Sequence, residues 1–538
     1  MKRREFIKTT AAASIPLVLS GVPVMASSQI ENTSLEKMAL AAVNCGRILV
    51  IVQQNGGNDG LNTVFPLDKW SNLVNARSNI LMDNTQVLSL NNNLTTGLHP
   101  AMAEMQGLYN NGKLMVVQGV SYPNPNFSHF RATDIWFTGS GSNTTLDSGW
   151  LGRALDIKYP NFPADYPSTE MPDPLAIQIG STLPFILQGE NLNMGYSVTD
   201  PNTLLNVINS ITDPAPNTDY GQELTFLRLM KDQSNVYRTA IQTAYNVTLN
   251  SGVIYPTSNK LADQLKIVAK LINGGLKTPV YIVNHPNTHD THEYQVSTAD
   301  KTQGSQANNL TLLSQAIGAF QLDLEGMGKA DNVAGMTFSE FGRRIKSNAS
   351  FGTDHGSAAP VIFFGSALNT SPTQVATTQY PNPGMIGTSP NLPINATVSQ
   401  QVPMQFDYRQ LYASVMQDWL CMTEAEVTQV FGTNFVKLPI FNSVALSSID
   451  FDSQQNQDIR VYPNPCTDGN LTIRLPESTT DYINVSLISA NGNLIHSASY
   501  KMNGQELALF YNQLAAASLY ILHIDWNGSS FYKKIITK

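Results

Sequence analysis

The chain has 538 residues, too many for one ordinary core, and length alone predicts about two to four domains. Charged residues make up 13 %, against about 25 % in a typical soluble protein, so Asn, Ser, Thr and Gln make the surface polar rather than ionic. The formal net charge of −8, with no basic stripe or Arg-rich face, argues against nucleic acid as a partner. Cys45, Cys421 and Cys466 have no metal-ligand or redox spacing. An odd, sparse set argues against a disulfide framework, and Cys421 on an apolar helix reads as a small buried hydrophobe.

The first 26 residues, MKRREFIKTTAAASIPLVLSGVPVMA, run from a basic start through an apolar middle to small residues near Ala26, the order of an export signal. Arg3-Arg4 followed by EFIK resembles the twin-arginine leader, which implies export of an already folded chain. The apolar stretch is short and broken by Pro16 and Pro23, and no later run is long enough, so the mature form is expected to have no transmembrane span.

A polar lead-in with a short helical pattern, LEKMALAAV, precedes the β-branched run Arg47 to Gln53, which predicts a buried strand. That strand meets the loop QNGGNDGLN, whose glycines permit a sharp turn and whose one charge is Asp59. Asp59 suits a hard cation and equally suits a turn or helix cap. Leu98 to Tyr109 has helical spacing, and Lys113 to Val120 predicts a second strand. Beyond it Ser128 opens the helical segment HFRATDIWF, either as an N-cap or as a nucleophile in the positive end of the helix dipole.

Asp156 to Pro174 reads as a surface excursion, and helices are expected over Glu223 to Tyr245 and Lys260 to Ile272. The strand PVYIV then leads into NHPNTHDTHEYQ, with three His and an Asp between positions 285 and 292. Such clusters suit a transition metal, although an exposed polar loop can have the same composition. An amphipathic helix over Asn308 to Met327 precedes the stretch TFSEFGRRIKSNASFGTDHGSAAP. It lies between apolar runs at Gly335 to Phe338 and Val361 to Phe364, which places Glu340 and His355 at strand-to-loop edges. Asn382 to Gln401 is a Pro-rich surface segment, and Tyr408 to Cys421 closes the domain as a helix. The repeated order of strand, polar loop and helix predicts an α/β fold with a mostly parallel sheet and helices on both faces.

From Ile459 the pattern changes to short alternating segments such as NLTIRL and LYILHI, separated by turns at Asn491-Gly492 and Asn527-Gly528, which predicts a small all-β sandwich. VYPNP, SANGNLI and the terminal FYKKIITK resemble the type A sorting domain of the type IX secretion system of Bacteroidetes. That resemblance implies passage through the export and type IX machineries, with periplasmic transit before release or display at the cell surface. The expected domains are a signal peptide over 1–26, an α/β domain over 27–450 and a sorting sandwich over 451–538.

GGNDGLNTVFP, SHFRATDIWFTGS, SGWLGR, DTHEYQ, SEFGRR and GTDHGSAAP together resemble the bacterial family called domain of unknown function 1501, related by fold to alkaline phosphatases and sulfatases. The resemblance implies an alkaline phosphatase-like fold and one or two divalent cations, with Zn, Mn, Mg and Ca all open. It assigns metal ligation to Asp59, Asp290, His292, Glu340 and His355, with Asp354 beside them. Ser128 falls at the nucleophile's place, and Arg343 at an anion contact. Phe341 stands where a phosphatase adds a His, and no Cys-x-Pro-Ser-Arg occurs, so a formylglycine mechanism is excluded by residue type. The implied function is an exported metal-dependent hydrolase of phosphate or sulfate esters, on a small-molecule or glycan substrate. The alternative is a degenerate, surface-displayed protein of the same fold that binds an anionic glycan.

Overall fold

The computed structural model describes residues 46–204, 215, 218–370, 382–442, 459–467, 469–489, 494–511, 514, 519–526 and 529–537, together with two short strands near the start. Those strands, Pro16–Leu19 and Val22–Met25, pair antiparallel. The twin arginines, the LEKMALAAV segment and the turns at 491–492 and 527–528 lie outside the described residues. The chain divides into two compact units, Asn32–Ser443 in one and Val444–Lys538 with Met1–Glu31 in the other.

The larger unit is built on nine strands. They are β1 (Ile48–Gln53), β2 (Leu114–Ser121), β3 (Ala176–Ile179), β4 (Tyr196–Val198), β5 (Val280–Asn284), β6 (Val333–Phe338), β7 (Ala359–Gly365), β8 (Met385–Ile386) and β9 (Phe406–Asp407). They run in the order β8-β2-β7-β6-β1-β5-β3-β4, with β9 also on β2. Every pairing is parallel except those of β7, which runs antiparallel to both β6 and β2. The expected α/β class with a mostly parallel sheet is therefore the observed one.

Both faces of the sheet are covered, because successive side chains of each strand point to opposite sides. Leu49 and Ile51 of β1 join a core with Ile135, Trp136, Trp150, Leu155, Leu411 and Met416. Val50 and Val52 join the opposite core with Met105, Leu265, Val268, Leu313 and Phe320. The helices supplying the first core include α1 (His129–Thr138) and α2 (Trp150–Lys158), and those supplying the second include α3 (Lys260–Asn273) and α4 (Ser305–Gly326). Burying each such aliphatic side chain contributes roughly 1.5–3 kcal/mol, which makes this two-sided sheet the rigid platform for the loops at its edge.

Three local expectations are corrected. The helix expected from Leu98 begins later, at Ala103–Asn110, because Asn93–Leu98 pairs as a strand with Val64–Pro66 and Leu88–Leu90. The closing helix is α-helical only over Tyr408–Ser414, widens to a π-turn over Val415–Trp419, and stops before Cys421, whose φ is +58°. Cys421 is moreover disulfide-bonded rather than an inert thiol, while Cys466 is free and buried. One cross-link is enough to tie down a segment in an oxidising compartment, so cysteine number alone misjudged it.

The second unit is all-β and antiparallel. A three-stranded sheet (Arg460–Tyr462, Asn470–Thr479, Gly504–Phe510) and a four-stranded sheet (Tyr482–Ser489, Leu494–Lys501, Leu519–Trp526, Ser529–Ile536) supply one core, including Ile473, Val485, Leu487, Leu522 and Ile535. Alternation places these residues inside and polar ones outside, as the short segments predict.

Candidate functional site

Parallel strands carry their loops out at the same edge. Gln53 of β1 stands in register with Asn284 of β5 and Phe338 of β6, so loops 54–60, 285–292 and 339–341 emerge side by side. The loop after β2 reaches the same place and enters α1 at Ser128. This is the carboxyl edge at which open α/β sheets assemble their sites.

Two glycines let these loops pack. Gly56 has φ +110°, and a Cβ on it would lie 2.4 Å from the Asp290 nitrogen. Gly57 has φ +80°, and its Cβ would lie 2.3 Å from the Phe341 ring. Only glycine accepts both the left-handed backbone and the contact.

The loops bring His129, Asp290 and His355 together, with one donor atom of each within 4.8 Å of the others. Nε2 of His129 lies 3.5 Å from Asp290 Oδ2, and Nε2 of His355 lies 3.2 Å from Asp290 Oδ1. His292 joins them, its Nε2 being 3.1 Å from Asp290 Oδ1 and 2.9 Å from His355 Nε2. Phe341 packs its ring against His129 and His355, with centroids 4.9 and 4.5 Å apart.

Each imidazole is held from behind. His355 Nδ1 donates to the Phe127 carbonyl at 2.8 Å, because a carbonyl can only accept. The neutral ring therefore offers a lone pair at Nε2. His129 Nδ1 lies 2.8 Å from Glu340 Oε1, and His292 Nδ1 lies 3.4 Å from Asp354 Oδ1. The hydrogen bond with Glu340 raises the His129 pKa despite partial burial, whereas burial lowers that of His355. Burial by itself would raise the Asp290 carboxyl, but the Arg343 bond and charge, with His355 and His292, hold it below its ordinary value.

Lone pairs of two imidazoles facing one another, and facing an ionised carboxylate, repel unless a proton or a cation lies among them. Two imidazoles and one carboxylate, those of His129, His355 and Asp290, offer ligand atoms close enough to share one ion, so the residues present fit a divalent cation, with His292 beside them.

The expected residues distribute unevenly about this centre. Asp290, His292 and His355 meet in it. Glu340 and Asp354 stand behind imidazoles. Asp59 lies in a different network: it is fully buried, its oxygens accept from Arg77 Nη1 at 2.9 and 3.1 Å, from Gln295 Nε2 at 2.7 Å and from Leu61 N at 3.2 Å. Its observed role is the helix-cap alternative, to which the structure adds a buried ion pair with Arg77.

Arg343 offers no anion contact, which corrects the expectation drawn for it. It is 1 % exposed, and its guanidinium donates to the carbonyls of Gly56, Gly57, Thr353 and His289 and to Asp290 Oδ1. It ties three site loops together instead. Ser128 is exposed at the N-terminus of α1 and makes no capping side-chain bond. His355 is not at a strand-to-loop edge of the sheet, because Gly342–Ser347 and Thr353–Gly356 form a hairpin in which it pairs with Arg343.

His129 is the member that sequence reasoning left without a ligand's role. Its signal was its place beside Ser128 at a helix start, but the partners Glu340 and Asp290 lie 211 and 161 positions away. His285 and His289 of the same histidine-rich loop turn elsewhere. His285 Nδ1 and Nε2 lie 3.0 and 3.1 Å from the Asn287 and Asn309 carbonyls. His289 is fully buried, which lowers its pKa well below the ordinary value.

The fold and this cluster define an α/β protein with a histidine-aspartate centre at the carboxyl edge of its sheet. Residues 268–431 match the family described as "Protein of unknown function (DUF1501)", and residues 460–538 match "Secretion system C-terminal sorting domain". Both resemblances drawn from the motifs hold in these segments, and the second marks the chain for export. Among curated proteins, the "Endo-acting ulvan lyase" of Formosa agariphila is 27 % identical over 115 residues, 21 % of this chain and 21 % of that one. The chain thus spans about a fifth of that relative.

Among solved structures, the Faecalibacterium prausnitzii beta-glucuronidase is 17 % identical over 15 % of this chain and 14 % of its own, at a TM-score of 0.12. The PsFucS1 sulfatase from Pseudoalteromonas sp. is 10 % identical over 89 % of this chain and 88 % of its own, at a TM-score of 0.31. Likenesses this loose leave the reading of the site to its own geometry. Among the described residues no helix is long and apolar enough to cross a membrane.

Proposed function

We propose that the protein is an exported metal-dependent hydrolase of phosphate or sulfate esters. The observation that carries this reading is the convergence of His129, His292 and His355 on Asp290, each imidazole turned by an Nδ1 partner. A divalent cation held there would polarise an ester oxygen and stabilise charge on the leaving group. Ser128, one residue before His129, is exposed and uncapped, which supports it as the attacking hydroxyl. The free N–H groups at the start of α1 favour an anion beside it. Arg343, buried beneath, holds Asp290 ionised and in place. The proposed layout removes 1–26 by way of the twin-arginine route and the periplasm, and delivers 27–450 to the cell surface or medium by means of 451–538.

The test is elemental analysis of the mature protein after loading with Zn, Mn, Mg or Ca, with turnover of aryl phosphates and sulfates. Bound metal and turnover are expected. A metal-replete protein that hydrolyses neither ester refutes the reading. Phe341, which stands where a phosphatase adds a His ligand, favours a second reading as a catalytically degenerate binding protein for anionic glycans. Glycan affinity without turnover would select it.

A further inference from the structure

We propose that Glu340 and Asp354 are positioning residues: they fix the Nδ1–H tautomer of His129, which would hold a cation with His355 and Asp290, and of His292 beside them, so that both Nε2 atoms face Asp290, without themselves binding the ion. The inference rests on the metal reading above and concerns how this chain builds the site. Family likeness places the acidic residue after β6 directly on a metal, but the geometry points to His129 taking that place.

Glu340 is 3 % exposed and already surrounded. Its Oε1 accepts the Gly56 N–H at 2.7 Å and lies 2.8 Å from His129 Nδ1, while the Ser339 hydroxyl stands 3.4 Å from Oε2. His129 lies between it and Asp290: Nδ1 faces Glu340, and Nε2 faces Asp290 at 3.5 Å. Asp354 repeats the arrangement more loosely. Its Oδ1 lies 3.4 Å from His292 Nδ1 and accepts from Asn348 Nδ2 at 3.2 Å, and its Oδ2 lies 3.5 Å from Arg344.

The third ring, His355, uses the Phe127 carbonyl for the same purpose at 2.8 Å. Three rings thus have three Nδ1 acceptors of two kinds, and all present Nε2 to the same carboxylate. Such outer partners set tautomer and orientation, and removing one typically weakens metal binding about 10–100-fold without emptying the site.

The experiment uses the full mature chain with cobalt(II) as both ligand and spectroscopic probe, in competition with a chelator. Wild type is expected to bind one ion per chain. Glu340→Gln keeps an oxygen for the Gly56 N–H, so it and Asp354→Asn should still bind one ion with an unchanged visible spectrum. Their affinity should fall about 10–100-fold, and more for Glu340 given its shorter contact. His129→Ala should lose the ion or change the spectrum, because it removes a ligand. A Glu340→Gln protein with an altered cobalt spectrum or no ion, beside a His129→Ala protein with the wild-type spectrum, overturns the proposal and makes Glu340 the ligand. Unchanged affinity in a folded Glu340→Ala protein, in which His129 Nδ1 has lost its acceptor, overturns it as well. If wild type binds no ion, the metal reading itself fails, an outcome distinct from either.

Discussion

Replacing Arg77 tests what Asp59 does. The two are buried together, with side-chain exposures of 0 % for Arg77 and 1 % for Asp59 and a closest contact of 2.9 Å. Arg77→Met removes the cation and its bonds to the Ile345 and Arg344 carbonyls, and leaves the Asp59 carboxylate with only Leu61 N–H and the Gln295 amide. Breaking a buried pair from one side costs about 3–5 kcal/mol, because the remaining carboxylate must either stay buried without its cation or take up a proton. That is roughly two to three and a half powers of ten in the unfolding equilibrium. Urea denaturation followed by tryptophan fluorescence reads this as a lower midpoint for the larger unit.

Asp59→Asn combined with Arg77→Met should recover much of the loss, since no unpaired charge remains. Asp59→Asn alone should retain its bound metal, because Asp59 lies in the Arg77 network rather than beside Asp290. An Arg77→Met midpoint equal to wild type would refute the ion-pair account. An Asp59→Asn chain that folds but binds no metal would refute the separation of the two networks.

Ser128→Ala should leave the thermal midpoint nearly unchanged, since no capping bond is lost, yet lower turnover at least 100-fold; unchanged turnover would make Ser128 a bystander. Gly57→Ala should both destabilise the fold by more than about 1 kcal/mol and weaken metal binding, because a methyl there displaces the Phe341 ring that packs on His129 and His355; calorimetry and a chelator titration would check both, and wild-type values in each would refute the contact. His99 is fully buried, and burial lowers its pKa to about 4. The unfolded chain therefore takes up a proton first as pH falls below about 6.5, so stability should drop by about 1.4 kcal/mol per pH unit between there and pH 4. His99→Asn should flatten that limb of the stability curve, and parallel wild-type and variant curves would exclude His99 as its source. Reduction of the Cys421 disulfide, or Cys421→Ser, should cost about 2–4 kcal/mol in the same denaturation assay, and no change would mean the bond carries no load.

Periodicity carries information about strands and helices that each bury one face, which is why the β-branched run ending at Gln53, the run before Asn284 and the apolar run ending at Phe338 were legible as successive parallel strands. It also gave the loops that follow them, and with them Asp290 and His292. The sorting tail was legible for the same reason, as short alternating strands with a distinctive sequence. What the chain order could not give was direction across loops. Asp59 and Asp290 both follow parallel strands in polar loops, yet only one faces the histidines, because Arg77, contributed by a helix over Trp70–Arg77, takes the other. Arg343 looked available until the hairpin placed its guanidinium under Gly56, Gly57 and His289. His129 looked like an accompaniment to Ser128 until β2 and β6 were neighbours of β7 in one sheet, which set His129 against Glu340. The sequence by itself determined the layers and the edge at which chemistry collects, since those depend on local pattern. Which side chains share a charge or a proton there depends on contacts of 2.7–3.5 Å between residues as many as 236 positions apart, and only the packed tertiary structure decides those.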